Sequence, residues 1–430
     1  MDVFGKCSKI SQMAQELKEN GCYFFFRKIE SAQDAEVVIG GKRVIMAGSN
    51  NYLGLTSHPK VKEAAIRAVE KFGTGCAGSR ILNGNLAIHE ELEKKLARFV
   101  GKEAALVFAT GYQTNLGILS ALLTRNDIAI LDKYDHASII DGCRLSFGEV
   151  KKFRHNDMKD LERVLDNSRK KGKLIIVDGV YSMEGDIADL PSITKIARAY
   201  GARVMVDDAH GLGVLGQNGR GTAEHFGLGD EVDLIMGTYS KSLAAIGGFV
   251  AGSAEVIHFI RHVGRSMVFS AGLPPPLVAA VSAALDVIEE EPQLRERLWR
   301  NTRKMLRGYR ELGFDIGRSE TPIIPIVIKD SGKVYQMCRL LYEKGVFVNP
   351  VISPAVPPGR ELLRTSYMAT HTEEQLDRVL EAFREVGMQV GVIPSLGSEA
   401  PSPSGPGLHI EGVADHGSGS IGTFLADAVV

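Results

Sequence analysis

The sequence is poor in the features that mark secreted, metal-binding and nucleic-acid-binding proteins. Its five cysteines are odd in number, widely scattered and free of any Cys-x-x-Cys pair. This argues against a disulfide framework or a zinc knuckle and favours reduced thiols in the cytoplasm. Lys and Arg number 51 against 52 for Asp and Glu, which gives a net charge of −1. That balance provides no general attraction to nucleic acid, and we expect no nucleic-acid partner.

Long hydrophobic runs suited to a membrane are also missing. Two uncharged stretches, 104–124 and 266–285, are long enough, but the first contains Asn115 and two glycines and the second contains three consecutive prolines. In lipid these residues would leave polar side-chain or backbone atoms unsatisfied, so we expect buried parts of a soluble fold and no transmembrane segment. Asp2 and Lys6 flank no apolar run, and we expect no secretory signal.

Short apolar runs alternate with longer helical patterns through the middle of the chain. Strands are predicted at 104–108, 128–131, 174–177, 203–206, 232–236 and 248–251. Helices are predicted between several of them, at 111–123, 158–171 and 192–200. The alternation predicts an α/β domain with a mainly parallel central sheet and helices on both faces.

After about Pro276 the pattern becomes that of a smaller α+β domain. A long charged helix at 277–312 is followed by predicted strands at 323–328, 346–348 and 362–367, and by helices at 334–344 and 373–386. We therefore predict an N-terminal arm (1–50), a large α/β domain (51–276), a small C-terminal domain (277–390) and a tail rich in Pro, Ser and Gly (391–430).

One glycine motif resembles a dinucleotide-binding loop, and we interpret it as structural. The pattern Gly-x-Gly-x-x-Gly at 211–216 follows a predicted strand. A nucleotide-binding loop of this type opens a helix at once. Here the chain continues with Gln-Asn-Gly-Arg-Gly, which predicts more loop.

Polar residues directly follow two of the predicted strands. Asp207 and His210 come after strand 203–206, at the edge where α/β sheets bind ligands, although a strand cap and a buried histidine explain the same pattern. Lys241 lies among small hydroxyl and apolar residues, where an amine has a lowered pKa and acts as a nucleophile. A solvated surface lysine is the alternative. Beside it, Thr238 and Ser240 offer hydroxyl groups to a phosphate.

Two more segments suit a phosphate and a flat ring. Gly111 and Tyr112 begin a predicted helix, whose free N–H groups form an anion site that a glycine lets a phosphate approach. His136 suits stacking against an aromatic ring or, equally, a helix cap.

These segments together match the requirements of pyridoxal 5′-phosphate. Lys241 would form a Schiff base with this cofactor, and Asp207 would keep the pyridine nitrogen protonated, so that the ring draws electrons from the substrate. His210 would bond the polar edge of the ring.

Several ordered motifs resemble those of the α-oxoamine synthases, which are pyridoxal-phosphate enzymes that condense an amino acid with an acyl-CoA and release CO₂. The resemblance extends from about Ser49 to Val386. It rests on the segments 49–55 (Ser-Asn-Asn-Tyr-Leu-Gly-Leu), 73–80, 135–138 (Asp-His-Ala-Ser), 181–186, 207–210, 238–242 (Thr-Tyr-Ser-Lys-Ser) and 363–366 (Leu-Arg-Thr-Ser). It implies the fold-type I architecture of pyridoxal-phosphate-dependent transferases.

The resemblance also implies roles for single residues. Lys241 is the Schiff-base lysine and carries the substrate proton, in a catalytic set completed by His136, Asp207 and His210. Arg364 pairs bidentately with the substrate carboxylate and Asn50 assists it; a strand-edge salt bridge is the alternative for Arg364. Cofactor contacts are implied for Gly111, Tyr112, His136, Ser182, Asp207, His210, Thr238, Ser240 and Lys241. No metal is expected.

Four activities share this family: serine palmitoyltransferase, 8-amino-7-oxononanoate synthase, glycine C-acetyltransferase and 5-aminolevulinate synthase. The residues that flank Lys241 and the loop 353–357 (Ser-Pro-Ala-Val-Pro) favour the first, with serine and an acyl-CoA as substrates. The second and third are alternatives, and a fold-type I aminotransferase, which releases neither CoA nor CO₂, is a more remote one. The family further implies a homodimer in the cytoplasm.

Overall fold

The computed structural model describes residues 3–169, 172–353 and 355–394. The helices, in chain order, are α1 (Gly5–Glu19), α2 (Pro59–Phe72), α3 (Ala87–Val100), α4 (Gly111–Leu122), α5 (Ala137–Arg144), α6 (Met158–Asp166), α7 (Leu190–Tyr200), α8 (Thr222–His225), α9 (Ala254–Val263), α10 (Arg265–Val268), α11 (Pro275–Glu290), α12 (Pro292–Glu311), α13 (Ser331–Glu343) and α14 (Glu373–Val390). The strands are β1 (Glu36–Ile39), β2 (Lys42–Met46), β3 (Ala104–Phe108), β4 (Asp127–Asp132), β5 (Glu149–Phe153), β6 (Gly172–Asp178), β7 (Arg203–Asp207), β8 (Leu234–Thr238), β9 (Gly248–Gly252), β10 (Ile323–Val327), β11 (Val346–Phe347), β12 (Asn349–Val351) and β13 (Leu362–Ser366).

A large seven-stranded sheet forms the centre of the molecule, in the order β3-β9-β8-β7-β6-β4-β5. Neighbours from β8 to β5 are parallel, and β9 is antiparallel to both β3 and β8. The strand side chains alternate between two apolar clusters: Ile128 and Ile130 pack with α3 and α7, and Ala129 and Leu131 pack with α4 and α9. Both faces are therefore covered by helices. The predicted mainly parallel α/β fold is confirmed.

Two three-stranded sheets and a separate apolar cluster form the rest of the described fold. The sheets have the orders β1-β2-β11 and β10-β13-β12. The cluster contains side chains of α12, α13 and α14. Because β2 pairs in parallel with β11, residues predicted as an N-terminal arm share a sheet with the C-terminal part of the chain. The division of the chain into domains stays a prediction.

The long helix predicted at 277–312 is wrong, because the chain forms two helices there. Between α11 and α12, Glu291 has φ −121° and ψ 61°, outside the helical region. Pro292 follows it and begins α12. Proline has no N–H for the helix and disfavours helical angles in the residue before it, so the chain turns between the two helices.

Two other predicted elements differ in their bounds. The strand predicted at 232–236 is Leu234–Thr238, because Asp233 accepts hydrogen bonds from the Val204 N–H and from Arg203 instead of continuing the strand. The helix predicted at 158–171 ends at Asp166, where the Asn167 amide bonds the Arg163 carbonyl at 2.7 Å. Residues 170 and 171, Pro354 and most of the predicted tail, from residue 395 onward, lie outside the described residues.

Across the described ranges, no helix combines the length and the apolar character needed to cross a bilayer.

A buried ion cluster fastens α3 to the sheet and yields a stability prediction. Glu93 is 4% exposed, and its carboxylate accepts from Arg80, from Arg261 at 2.8 Å and from the Val107 N–H at 3.0 Å. Glu93→Gln leaves two guanidinium groups without their counter-charge, so we expect the free energy of unfolding to fall by about 3 kcal/mol. Denaturant unfolding measures the change. The control is Glu91→Gln on the exposed side of α3, and equal midpoints for the two variants would contradict the prediction.

Candidate active site

A cavity of about 290 Å³ opens where the parallel strands β6, β7 and β8 end. Strand-end residues Asp178, Asp207 and Thr238 lie in its wall. The lining residues are Thr110, Gly111, Tyr112, His136, Ser138, Asp178, Val180, Asp207, Ala209, His210, Met236, Thr238, Ser240, Lys241, Ile246 and Gly247. Eight of the site residues predicted from the sequence are among them. This is the ligand-binding edge of an open α/β sheet.

Lys241 lies in this cavity, on the loop that follows β8. Burial lowers the pKa of its amine to about 8, and the carboxylates of Asp207 and Asp178 offset part of that effect. A solvated surface lysine, the alternative from the sequence, would be open to water on all sides. Lys241 is instead an amine that is partly neutral near pH 8 and can act as a nucleophile or carry a proton.

Asp207 is held in place by an amide that the sequence did not single out. The Asn115 Nδ2 group donates to Asp207 Oδ2 at 2.8 Å and to Ser138 Oγ, also at 2.8 Å. The Ala209 N–H donates to the second carboxylate oxygen at 3.1 Å. Asn115 Oδ1 is buried without a hydrogen-bond partner in the described chain. The sequence signal for Asn115 was weak, because it appeared only as a polar residue within the uncharged stretch 104–124 and the predicted helix 111–123.

His136 is both a helix cap and a wall of the cavity. As the residue before α5, it accepts a hydrogen bond from the Ser138 N–H at Nδ1, and Ser138 Oγ lies 2.7 Å from the same nitrogen. The ring faces the open cavity, yet the surrounding protein replaces much of its hydration and lowers its pKa. The two interpretations that the sequence left open for His136 are therefore compatible.

His210 is buried and bonded to a tyrosine. Its Nδ1 lies 2.7 Å from the hydroxyl of Tyr52. Burial, together with the positive charges of Lys241 and Arg364, lowers the pKa of His210 well below its usual value. Burial raises the pKa of Tyr52 to about 12, so the phenol keeps its proton beside the imidazole. Sequence reasoning missed Tyr52, whose only signal was its place in the 49–55 motif.

The beginning of α4 forms a small cradle with the end of β8. Thr110 caps the helix by accepting from the Gln113 N–H at 3.0 Å. A Cβ atom on Gly111 would lie 2.6 Å from Thr238 Oγ1, so only glycine permits this approach. Thr238 Oγ1 lies 3.0 Å from Ser240 Oγ. Helix N–H groups and two hydroxyls thus lie in the wall of one cavity, which suits a phosphate.

Tyr112 stands at the cavity mouth with 46% of its surface exposed, and its hydroxyl donates to the Asp141 carboxylate. That hydrogen bond is the main reason why the pKa of Tyr112 is raised. The phenol is occupied by Asp141, so the residue offers its backbone N–H and its ring to the cavity.

Arg364, Asn50 and Ser182 form a group beside the cavity, and they do not line it. Arg364 Nε donates to the Ser182 carbonyl at 2.6 Å, and Nη2 donates to Asn50 Oδ1 at 3.0 Å. No carboxylate in the described ranges pairs with this buried guanidinium, so the strand-edge salt bridge is wrong. Ser182 supplies a carbonyl to Arg364, whereas its implied contact with the cofactor stays a prediction.

A half-buried histidine that the sequence did not indicate lies outside the cavity lining. The His155 ring nitrogens lie 3.0 Å from Asp132 and 2.9 Å from Asp186. Burial by itself lowers the pKa of His155, but the bonds to the two carboxylates outweigh it and raise the value to about 9. A cation therefore stands between two buried carboxylates, that of Asp132 at the end of β4 and that of Asp186 on the loop before α7.

Comparisons with known proteins agree with this geometry. The family "Aminotransferase class I and II" matches residues 42–383. Serine palmitoyltransferase of Sphingobacterium spiritivorum is 54% identical over 381 residues, which cover 88% of this chain and 96% of the relative. 8-Amino-7-oxononanoate synthase of Thermoanaerobacter pseudethanolicus is 46% identical over 386 residues, 89% of this chain and 98% of the relative. A solved serine palmitoyltransferase variant from S. paucimobilis with a bound PLP–myriocin aldimine superimposes with a TM-score of 0.89 at 39% identity. The match covers 91% of this chain and 100% of that structure's chain.

Proposed function

This chain belongs to the α-oxoamine synthase group of the class I and II aminotransferase family, and from that premise we propose that it condenses L-serine with an acyl-CoA, releasing CoA and CO₂. It is a pyridoxal-phosphate-dependent C-acyltransferase with the fold-type I architecture. The observation that carries the proposal is the amine of Lys241, with its pKa of about 8, in one cavity with Asp207 and the phosphate cradle.

The residues present fit pyridoxal phosphate. The cradle at Gly111, Thr238 and Ser240 suits its phosphate, and a side chain on Gly111 would collide with Thr238 and disturb the cradle. Lys241 would hold the aldehyde carbon, Asp207 would face the ring nitrogen, and His136 would lie against the ring. Bound pyridoxal phosphate supplies a conjugated cationic ring that delocalises the electron pair formed at the substrate Cα and again when CO₂ leaves.

The chain's own groups orient the amino acid and move its proton. The Arg364 guanidinium is fixed at Nε and Nη2 by Ser182 and Asn50. Its remaining hydrogens form the fork that binds the substrate carboxylate bidentately. Lys241, partly neutral near pH 8, takes the proton from Cα and returns it after CO₂ has left. His210 is neutral and is positioned by Tyr52, so it serves as a hydrogen-bonding group and not as a charge.

Serine is favoured as the amino-acid substrate because the relatives named serine palmitoyltransferase are more similar to this chain than those named 8-amino-7-oxononanoate synthase. Serine palmitoyltransferases are matched at 51–54% identity, against 45–46% for the 8-amino-7-oxononanoate synthases. The second group keeps alanine with a pimeloyl thioester as the alternative. Glycine C-acetyltransferase and aminotransferase chemistry are more remote.

The test is to titrate the purified protein, loaded with pyridoxal phosphate, with glycine, alanine and serine, following the visible absorbance. Acyl-CoAs of increasing chain length are then added and free thiol is measured. We expect a saturable response to serine and thiol release with a long-chain acyl-CoA. A response to alanine alone would support the oxononanoate synthase alternative. Amino transfer without thiol release would support the aminotransferase alternative.

The homodimer and the cytoplasm also stay our proposals. Two large apolar side chains are exposed, Leu82 with 80% and Phe269 with 76% of the surface accessible, and the segments that carry them meet at the Ser79–Ala271 bridge. Such a surface favours contact with a second copy of the chain. Light scattering of the purified protein tests the dimer.

The free cysteines of the described residues favour a reducing compartment.

Arg364→Lys is expected to raise KM for serine by about 100-fold, with a smaller change in kcat. Lysine keeps the positive charge, but it cannot bind a carboxylate through two parallel N–H bonds. It also cannot make both of the bonds to Ser182 and Asn50 that orient the Arg364 guanidinium. Steady-state kinetics with serine measure the effect. Arg339→Lys, at an exposed site on α13, is the control and should leave KM unchanged. An unchanged KM in both variants would show that Arg364 does not bind the substrate carboxylate.

A further inference from the structure

A second cavity, of about 660 Å³, lies between the loop that follows β7 and the helices α11 and α12. Arg220 lines it from the loop, and Arg295, Trp299 and Arg303 line it from α12. The three α12 residues are spaced four apart, so they share one face of the helix. None of these residues belongs to the candidate active site.

Arg295 is the most informative of them. In the described part of the chain, three arginines are at least nine-tenths buried: Arg80, Arg295 and Arg364. Arg80 is paired with Glu93, and Arg364 is proposed to bind a carboxylate brought by the substrate. Arg295 has no carboxylate of the described residues within salt-bridge distance, and Glu224 and Glu296 act on it only from further away. A buried guanidinium without a close counter-charge is costly. By the same reasoning as for Arg364, it points to an anionic ligand.

The other two guanidinium groups add to this positive lining. Neither Arg220 nor Arg303 pairs with a carboxylate in the described ranges, and Arg220 Nε is buried without an acceptor there. Glu289 and Glu296 also border the cavity, but both side chains are exposed to solvent and neither bonds an arginine of the lining. Their negative charge offsets part of the positive lining, in which three guanidinium groups outnumber two carboxylates.

The cavity is a built site whose walls are tied together. Arg295 Nη2 donates to the Gln217 carbonyl, and Trp299 Nε1 donates to the Val214 carbonyl at 2.8 Å, so α12 holds the loop. The two ends of the loop are joined by Asp208, which accepts from the N–H and the hydroxyl of Thr222, both at 2.7 Å. Little reorganisation is needed before a ligand binds.

We propose that this cavity binds a small molecule that carries a phosphate group. A carboxylate fills a single guanidinium fork, whereas the oxygens of a phosphate accept from two or three forks at once. The volume suits a ligand of nucleotide size. Since the loop continues directly from Asp207 and His210, an occupant contacts the segment that leads out of the active site.

The test uses the enzyme loaded with pyridoxal phosphate, so that the phosphate cradle at Gly111 is already filled. Trp299 is the only tryptophan of the sequence and lines this cavity, so its fluorescence reports on binding there. Pyrophosphate and AMP are titrated as probes in phosphate-free buffer at constant ionic strength. We expect a saturable change with Kd below about 1 mM, weakened about 10-fold by Arg303→Gln. Arg303 is exposed, so its replacement preserves the fold.

Arg307→Gln, one turn further along α12 and paired with Glu311, is the matched control and should bind like the unaltered protein. Tighter binding of AMP than of pyrophosphate would indicate that the adenine ring of AMP also binds in the cavity, beside Trp299. No saturation up to about 10 mM, or equal affinities for the two variants, would overturn the proposal. The readout is independent of catalysis, so its outcome is separate from that of the proposed function.

Discussion

Lys241→Ala is expected to reduce CoA release from serine and acyl-CoA by at least about 10⁴-fold. The change removes the amine that would hold the cofactor and the group that carries the Cα proton, and no other lysine lines the cavity in the described chain. Thiol release measures activity, and the visible absorbance measures covalent loading. Lys133→Ala, at an exposed position on the β4–α5 turn, is the control and should behave normally. Normal loading and turnover by Lys241→Ala would refute the proposed function.

The lowered pKa of Lys241 leads to a pH dependence that the cofactor-free protein can reveal. Only the neutral amine attacks an aldehyde, and the pKa of Lys241 is about 8 where an ordinary lysine has 10.5. The rate of covalent loading with pyridoxal phosphate should therefore rise with pH and level off above about 8. Stopped-flow absorbance between pH 6 and pH 11 measures it. A midpoint near 10.5 would mean that the amine is solvated and that the cavity does not activate it.

Asp207→Asn is expected to lower kcat by about 10³-fold with little loss of cofactor. The amide keeps the size of the side chain and can still bond Asn115, but it has no charge to keep a pyridine nitrogen protonated. The ring would then draw electrons weakly, while the phosphate cradle and Lys241 would hold it as before. Cofactor content, visible absorbance and kcat measured on the same sample separate binding from turnover.

The control for this second variant is the neighbouring carboxylate. Asp208 is buried and turned toward Thr222, and burial raises its pKa to about 7. Asp208→Asn should lower thermal stability while kcat stays within about threefold. If the two variants lose activity to the same extent, the effect arises from the strand end as a whole and not from the charge at Asp207.

Much of the fold could be predicted because the physical signals are local. Apolar runs of strand length alternate with helical patterns, and the polar residues after them, Asp207 and Lys241, come at the sheet edge where ligands bind. The break before Pro292 was also a local signal, since the residue before a proline rarely stays helical. The prediction of one helix at 277–312 gave the charged helical pattern more weight than Pro292, and it was wrong.

The contacts that complete the site depended on distant parts of the chain. Asn115 reaches Asp207 across the sheet, Tyr52 reaches His210, and His155 joins Asp132 to Asp186. No spacing within one segment indicates such pairs, because each is created by the packing of separate elements. The position of Arg364 beside the cavity likewise came from family resemblance and not from any pattern in strand 362–367.

The pairing of β2 with β11 determines the order in which the molecule can be completed during synthesis. Ile45 leaves the ribosome long before Val346, its partner in the sheet. Until Val346 is synthesised, the edge of β2 that pairs with β11 is exposed, and chaperones commonly shield such edges in nascent chains. Because the two strands are far apart in sequence, their pairing closes a long chain loop and is a slow step of folding. The seven-stranded central sheet leaves the ribosome earlier and is free to fold first. A ribosome stalled before Val346 would therefore carry a folded central sheet, while β2 would still lack its partner strand β11.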